Sequence, residues 1–493
     1  MNRLLIALGV ILSAIWASVM AITRGVPVFV CGFLKSITFG VLDGALDNIQ
    51  NGFYYELPNR DMPTVVFLIL FVLAFILYFA ISIKITKGES NKRTFFIVIF
   101  FSLLFRLILL PSISIHENDI YRYLWDGKVS NAGINPYKYA PDDLDSLTRN
   151  LEEHELKRLD GLREKNLLYF SRIGHSGVPT IYPPFAQFIF MLSTRIQEDS
   201  IIVMKGIFVV FDLLVILVIA RILLHLKKNP ALSIIYGWSP LVLKEIANSG
   251  HYDSIPIFFM MLSIFLVCKR KALLGAVGLI VAGLSKFFPI VLTPIYLKVV
   301  KLRNIIIAFL LFIGTYIPFF IWGNTGFSRV FKGLNIYSQG WAYNGSIYVL
   351  SRSILEAADL NIRIFGGFFL PKMISALIFI IVLIYISRRK IQPETGFIHH
   401  SFIILAVLFL LSPVGDPWYF CWIIPFLCFF PYRSFISLSW LLILSYISFS
   451  RELGWVMIGP LEVPVLNAIQ YIPFYAILAI ELIMKKRNRL RYV

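Results

Sequence analysis

Charge is scarce in this chain. Asp, Glu, Lys and Arg make up 15% of 493 residues, against 58% hydrophobic and 15% aromatic, and the mean hydropathy is +0.77. A water-soluble globule of that length needs far more polar surface, so such a fold is excluded and the chain belongs in lipid. Cysteine is equally sparse. Cys31, Cys268, Cys421 and Cys428 lie in or beside apolar runs without metal-ligand spacing, which makes them structural and excludes a zinc module. There is no Gly-Lys-Ser/Thr phosphate loop and no Gly-x-Gly-x-x-Gly after a strand, so no nucleotide cradle is visible. Internal repeats and a separate soluble domain are also missing.

The formal charge of +18 does not point to nucleic acid. Polyanion binding needs a continuous basic face in water, and here the cations sit in short clusters between apolar runs, as the positive-inside rule requires. The clusters are Lys87/Lys92/Arg93, Lys227/Lys228, Lys269 to Lys271, Lys298/Lys301/Arg303, Arg388 to Lys390 and Lys485 to Arg491. All read as cytoplasmic. The first run, Leu4 to Ile22, follows Arg3 but lacks a small-x-small cleavage site and precedes many further spans, so it reads as a retained helix rather than a signal peptide.

Runs that can cross the hydrocarbon core are Leu4 to Ile22, Thr64 to Ile85, Thr94 to Ile115, Ile201 to Leu224, Asn304 to Trp322, Lys372 to Ile386, Phe402 to Leu411, Phe435 to Phe449 and Val465 to Met484. Further apolar material at Ala231 to Ala247, Tyr252 to Cys268, Ala272 to Leu297 and Trp418 to Phe430 brings the expected count to about 11 to 14 spans. Many of these runs carry Pro or an internal charge. Broken backbone is tolerated in a membrane only against protein or a wet cavity, so a cavity is expected. The fold class is all-α and polytopic, with a large external loop, His116 to Thr180, after the third span. The expected division is 1–93 (N-terminal helices), 94–322 (catalytic module including external loop 116–180) and 323–493 (C-terminal module). Ala272 to Leu297 reads as a tight hairpin with Lys286 near its outer tip, and Asn248 to Ser254 as an external turn. The basic clusters conflict at one point. A full crossing by Ile181 to Arg195 would put Lys227/Lys228 outside, so that segment is expected to enter only partway. Arg106, inside an apolar span, calls for an acid that the sequence does not identify.

The external loop is about 65 residues long, well above ordinary connections. Asp142 to Lys165 within it reads as a surface helix. At its start, His116-Glu117-Asn118-Asp119-Ile120-Tyr121-Arg122-Tyr123-Leu124-Trp125-Asp126-Gly127 packs three carboxylates, an Arg and three aromatics into a short stretch. Charges are ordinary where a helix enters water. Sugar sites, however, combine carboxylates that bind hydroxyls with aromatic faces that stack on the ring. Asp119, Arg122, Tyr123 and Asp126 have the spacing of one helical face. Glu117 and Asp119 can line one site only if the helix before them ends near Ile115 and the chain is extended there, with Asp119 a suitable N-cap for a new helix. Asn135-Pro136-Tyr137 and Ala140-Pro141 supply turn chemistry that folds the chain back.

The Glu117-x-Asp119 pair, the run from Tyr121 to Gly127, Gly133-Ile134-Asn135-Pro136-Tyr137 and Tyr182-Pro183-Pro184 together resemble the GT-C superfamily of membrane glycosyltransferases. Further matching segments are Trp238-Ser239-Pro240-Leu241, Gly250-His251-x-Asp253-Ser254, Gly283-Leu284-Ser285-Lys286-Phe287-Phe288-Pro289, and Ser412-Pro413 with Pro417-Trp418-Tyr419. They look most like bacterial polyprenyl-phosphate-mannose-dependent mannosyltransferases, and more distantly like the first mannosyltransferase of GPI-anchor assembly. The similarity runs from about Phe96 to Phe430 and rests on the order of the motifs, none being decisive alone. Two departures stand out: the acidic pair is Glu-x-Asp rather than Asp-x-Asp, and Leu4 to Ile85 adds two helices at the front.

The resemblance implies a polyprenyl-phosphate-sugar donor used at the outer face of a bacterial plasma membrane, with mannose as the sugar and a lipid or glycan as acceptor. It implies Asp119 as catalytic base, with Glu117 the competing candidate. Arg122, His251 and Lys286 are the cations best placed for the leaving phosphate, while Tyr123, Asp126, Tyr182, Asp253 and Asp416 are candidates for substrate contact. For His251 and Asp253 a plain polar turn is the alternative, for Lys286 snorkelling to the interface, and for Asp416 an ordinary external turn. A divalent metal at Glu117/Asp119 stays open, since the pair either binds a cation or hydrogen-bonds. A transporter or flippase of lipid-linked sugars, and a ligase or polymerase of preformed glycans, are the rival readings. The topology is directly testable: a cysteine placed at Ser146 should react with an impermeant thiol reagent in intact cells, and labelling only after the membrane is broken would overturn it.

Overall fold

The computed structural model describes residues 1–24, 61–88, 91–144, 154–360, 362–363, 368–392, 394–449, 457–458 and 463–490. Cys31, Ser146 and Arg491 lie outside the described residues, as do residues 145–153 of the Asp142 to Lys165 segment. The described structure is overwhelmingly helical, as an apolar chain must be when its backbone can find no water to bond. The strands among the described residues are one two-residue antiparallel pair, Met457–Ile458 with Val463–Pro464.

The first described helices are α1 (Asn2–Arg24), α2 (Asp61–Lys87) and α3 (Lys92–Leu109). The external loop follows, containing α4 (Asp119–Asn131), α5 (His154–Lys165) and α6 (Leu167–Phe170), and then α7 (Pro184–Ile196) and α8 (Ile201–His225). The central helices are α9 (Ser254–Cys268) and α10 (Ala272–Ser285). Next come α11 (Leu302–Ile321), α12 (Lys332–Gly340), α13 (Ile347–Ala357), α14 (Leu370–Arg388), α15 (Thr395–Leu411), α16 (Arg433–Leu441) and α17 (Val465–Leu490). Six described helices, namely α1, α2, α8, α11, α14 and α17, are long and apolar enough to cross a membrane. The other apolar runs form shorter or interrupted helices, among them a π-helical turn at Leu243–Asn248 and a 3-10 turn at Phe288–Leu292 that returns the chain after Lys286. The interruptions expected from internal Pro and charge are therefore present, and they lie beside the site described below.

The partner of Arg106 is Asp212. The guanidinium Nε is 2.6 Å from the carboxylate, both side chains are fully buried, and Arg106 also donates to the carbonyls of Ser102 and Gly237. Tyr236 donates to the other Asp212 oxygen at 2.6 Å. Near the start of α8, Lys205 donates to the Ser112 carbonyl just past the end of α3. Moving back along α3 to Arg106 thus means moving forward along α8 to Asp212, so the two helices are antiparallel and α8 begins where α3 ends. That resolves the topological conflict. The 13 residues of α7 span about 20 Å at 1.5 Å per residue, too short for a crossing, and Lys227/Lys228 return to the side of Lys92.

Instead of crossing, α7 lies along α4. A β-carbon at Gly127 would overlap the Phe190 carbonyl, Tyr123 stacks on Phe190 at 4.6 Å, and Asn131 donates to Met191 and Thr194. Phe188, Leu192 and Ile196 are left exposed on its other face.

A second external segment was not foreseen from the sequence. α11 starts beside Lys301/Arg303 and α14 ends at Arg388, and Lys298 donates to the Arg389 carbonyl, so the two basic ends lie together and the chain between them emerges at the opposite ends of these helices. It closes onto the first loop. Asn135 donates to the carbonyls of Phe319 and Trp322 and to Thr325, and a β-carbon at Gly333 would overlap the Pro179 carbonyl. Within the first loop, Gly133 (φ +73°) and an Asn135 side chain that accepts from the Tyr137 amide make the expected turn.

Because Asp212 neutralises a cation with no route to water, Asp212→Ala should destabilise the protein by about 3–5 kcal/mol, read as an earlier thermal unfolding transition in detergent. Arg106→Met combined with Asp212→Leu should recover much of that loss. A double variant no more stable than Asp212→Ala would mean that the pair is not what holds α3 to α8.

Candidate active site

The site is built where α3 gives way to the external loop. The chain after Leu109 is held by Asn248, whose amide donates to Ser112 and to the Ile113 carbonyl and whose oxygen accepts from the Ile115 amide. His116 sits at φ +60°, a conformation uncommon for a non-glycine residue and costly unless its surroundings impose it. Here Thr64 bonds its Nε2 at 2.9 Å and Tyr446 stacks on its ring. The next residues are therefore delivered into the protein. Asp119 is the first residue of α4 rather than its cap; the cap position belongs to Asn118, which makes no side-chain capping bond. The Asp119 carboxylate thus does not cap its own helix.

Both acids face one imidazole. Asp119 Oδ2 lies 3.8 Å from His251 Nδ1, and Glu117 Oε2 lies 4.0 Å from His251 Nε2. A third acid, Glu245, comes within 3.4 Å of Nε2. His251 is buried and stacked on Trp418 with centroids 4.3 Å apart, and neither of its ring nitrogens has a hydrogen-bond partner among the described residues. The two sequence candidates for the base differ in access. The Glu117 side chain is 9% exposed, that of Asp119 34%. Burial raises the Glu117 carboxyl well above the usual carboxylate range. Burial also raises Asp119, opposed by the Lys286 cation, and pushes up Asp416.

Lys286 is not snorkelling. Its Nζ is 2.7 Å from Asp253 Oδ1, and its charge lies over the rings of Tyr419 (4.5 Å), Tyr252 (5.1 Å) and Trp422 (5.4 Å). Trp422 Nε1 donates to the same Asp253 oxygen at 2.6 Å, and the other Asp253 oxygen is buried without a partner among the described residues. Asp416 is buried at the N-cap position before Pro417–Phe420.

The four residues expected to share one face of α4 divide into two groups. Tyr123 donates to Asp119 at 3.4 Å and meets Tyr182 and Tyr252 edge-on. Arg122 and Asp126 instead pair with each other at 2.8 Å and hold the returning end of the loop: Arg122 donates to the Val178 carbonyl, while Thr180 and Gln187 donate to Asp126. Residues missed in the sequence include Lys244 and Glu245, both buried in the π-helical turn, and Tyr446. Tyr446 donates to Glu245 at 2.8 Å and lies 3.7 Å beneath the Lys244 cation. The signal was available, since adjacent opposite charges interrupt the apolar run Ala231 to Ala247. Tyr337, bonded to Tyr419 at 2.8 Å, arrives from the second external segment and had no such signal. Among the described residues no group of three or more His, Cys, Asp and Glu side chains is arranged to hold a metal ion.

A family model, glycosyltransferase family 87, matches residues 180–413. No curated protein and no solved structure matches the chain. The matched span, a little under half of the chain, contains Tyr182, Glu245, His251, Asp253 and Lys286, while Glu117, Asp119 and Asp416 lie outside it. It supports reading this integral membrane protein as a glycosyltransferase, with a sugar donor and an acceptor as its partners.

Proposed function

We propose that the chain transfers a sugar, mannose by resemblance, from a polyprenyl-phosphate donor to a lipid or glycan acceptor at the non-cytoplasmic face of the membrane. In this reading Asp119 takes the proton from the acceptor hydroxyl as its oxygen attacks the anomeric carbon, and the bond to the phosphate breaks with its electron pair leaving on the phosphate. Lys286 neutralises the charge that develops there. Arg122, whose partners Asp126 and the Val178 carbonyl belong to the returning end of the loop rather than to the cluster around His251, is left out of that role. Tyr182 offers a ring face and Asp416 a polar contact to the sugar, while Tyr123, buried against Phe190, acts only through its hydroxyl on Asp119. What carries the reading is that Asp119 is a partly exposed carboxylate at the edge of a buried polar cluster, its Oδ2 3.8 Å from His251 Nδ1, with the Lys286 charge opposing its protonation.

Asp119→Asn keeps the shape and removes the base, so it should slow transfer by at least about 10²-fold, with donor binding largely retained. Glu117→Gln should cost less. The assay is consumption of a radiolabelled lipid-linked sugar together with appearance of a new glycoside. Translocation without a new glycoside would favour a flippase, and transfer of a preformed glycan block a ligase. Wild-type rates from purified Asp119→Asn would end the assignment.

The pH profile gives a second test. A base must be deprotonated to act, and the Asp119 carboxyl is raised, so the acid limb of the rate should lie above the ordinary Asp value of about 4. Lys286→Met should lower turnover strongly. Because Lys286 opposes protonation of Asp119, the same variant should also move the acid limb to higher pH. A lowered rate with an unmoved limb would separate Lys286 from the base.

A further inference from the structure

The α5–α6 elbow of the external loop exposes two adjacent leucines, Leu167 at 60% and Leu168 at 61%. The rest of α6 is turned into the loop: Tyr169 stacks on Tyr121 at 5.9 Å and Phe170 meets Trp125 edge-on at 5.0 Å. An exposed apolar pair on so short a helix has a definite direction, and its height relative to the membrane can be read from the contacts beside it. Lys128 bonds both Asn166, the residue before Leu167, and Asp199, in the turn between α7 and α8. Tyr169 also donates to the Asp199 carbonyl at 3.4 Å. That turn marks the outer boundary of the bilayer, because α8 spans the membrane and begins there beside the end of α3. On either side of the turn, Ile196 and Ile202 are exposed apolar residues.

We infer that Leu167 and Leu168 are seated among the acyl chains of the outer leaflet, continuous with the lipid-facing surface of Ile196 and Ile202, so that the external loop is moored to the bilayer at its elbow. Lys165 and Ser171, exposed on either side of the pair, sit at headgroup level, the arrangement in which an apolar tip enters the interface between polar flanks. The mooring is independent of the transfer chemistry. It fixes the height of the loop whose other end carries Asp119.

A nitroxide attached to Leu168→Cys in lipid nanodiscs tests the inference, with the label background of the unsubstituted protein subtracted. The comparison position is Lys157→Cys, exposed on α5. The Leu168 label should collide several-fold more with dissolved oxygen than with a water-soluble nickel chelate, and the Lys157 label should show the reverse. A label at Leu167→Cys should repeat the Leu168 result. Equal chelate access at Leu168 and Lys157 would place the elbow in water, and shielding of both leucine positions from both reagents would mean a protein contact; either result overturns the inference. No activity is measured, so the result stands apart from the assignment of Asp119.

Discussion

A charge carried into the hydrocarbon must meet an opposite charge, and the arrangement of this protein follows from where those meetings occur. Arg106 on α3 and Asp212 on α8 have no access to water and hold each other at 2.6 Å. Together with the Lys205 bond to the Ser112 carbonyl, that contact sets α8 antiparallel to α3, so α8 starts on the side where α3 ends and the chain between them leaves and returns on that side. The loop between them and the packing of α4 against α7 are accommodated by this arrangement. A second meeting, Lys286 with Asp253, ties the return after α10 to the turn before α9. That turn also carries His251, so the pair stations the imidazole opposite Glu117 and Asp119.

The irregular backbone follows the same logic. A continuous helix from Ala231 to Cys268 would carry Lys244, Glu245, His251 and Asp253 on different faces, some of them toward lipid. The π-helical turn at Leu243–Asn248 and the bend at Gly250 (φ +76°) bring them inward instead. Asn248, at the end of that turn, then clamps the segment leading to Glu117. The element that breaks the helix is thus the one that positions the acids, which is why broken backbone and polar cluster coincide.

Much of this was legible in the sequence, and the missing part has a physical reason. Apolar run length and the basic clusters were enough to read the helical class, the loop after α3 and the absence of a full crossing by Ile181 to Arg195, because lipid imposes those as one-dimensional rules. The acidic pair, His251 and Lys286 were legible as unusual residues, but their convergence was not, since it depends on tertiary contacts spanning more than a hundred residues. Asp212 escaped notice because a single acid inside a long apolar helix gives no hint of its partner. Arg122 and Asp126 show the opposite error: helical spacing correctly put them on a common helix, but spacing cannot tell a face turned to substrate from one turned to the returning loop at Val178 and Thr180. The second segment was flanked by the basic clusters at Lys298/Lys301/Arg303 and Arg388 to Lys390, but its closure onto the first loop left no mark, its short helices having neither the length of a span nor the composition of a soluble domain.

The remaining question is how a cluster with so many carboxylates can accept a phosphate. Glu117, Asp119, Glu245, Asp253 and Asp416 surround one cluster, while the cations in it are Lys244 and Lys286. Fully ionised, such a group would repel an anionic donor. Two features reduce that repulsion. Glu245 and Asp253 are each within 3.4 Å of a lysine, so their charges are largely neutralised locally. Burial moves Glu117 and Asp416 toward their neutral forms, in which a carboxyl donates a hydrogen bond and can hold a sugar hydroxyl without adding charge. Asp119, the most open of the two loop acids and the one whose protonation Lys286 opposes, is then the carboxylate best able to remain ionised beside a bound donor. The division of labour between the two acids of the pair therefore rests less on their identity as Glu and Asp than on the depth to which the clamp at Asn248 drives each of them into the protein.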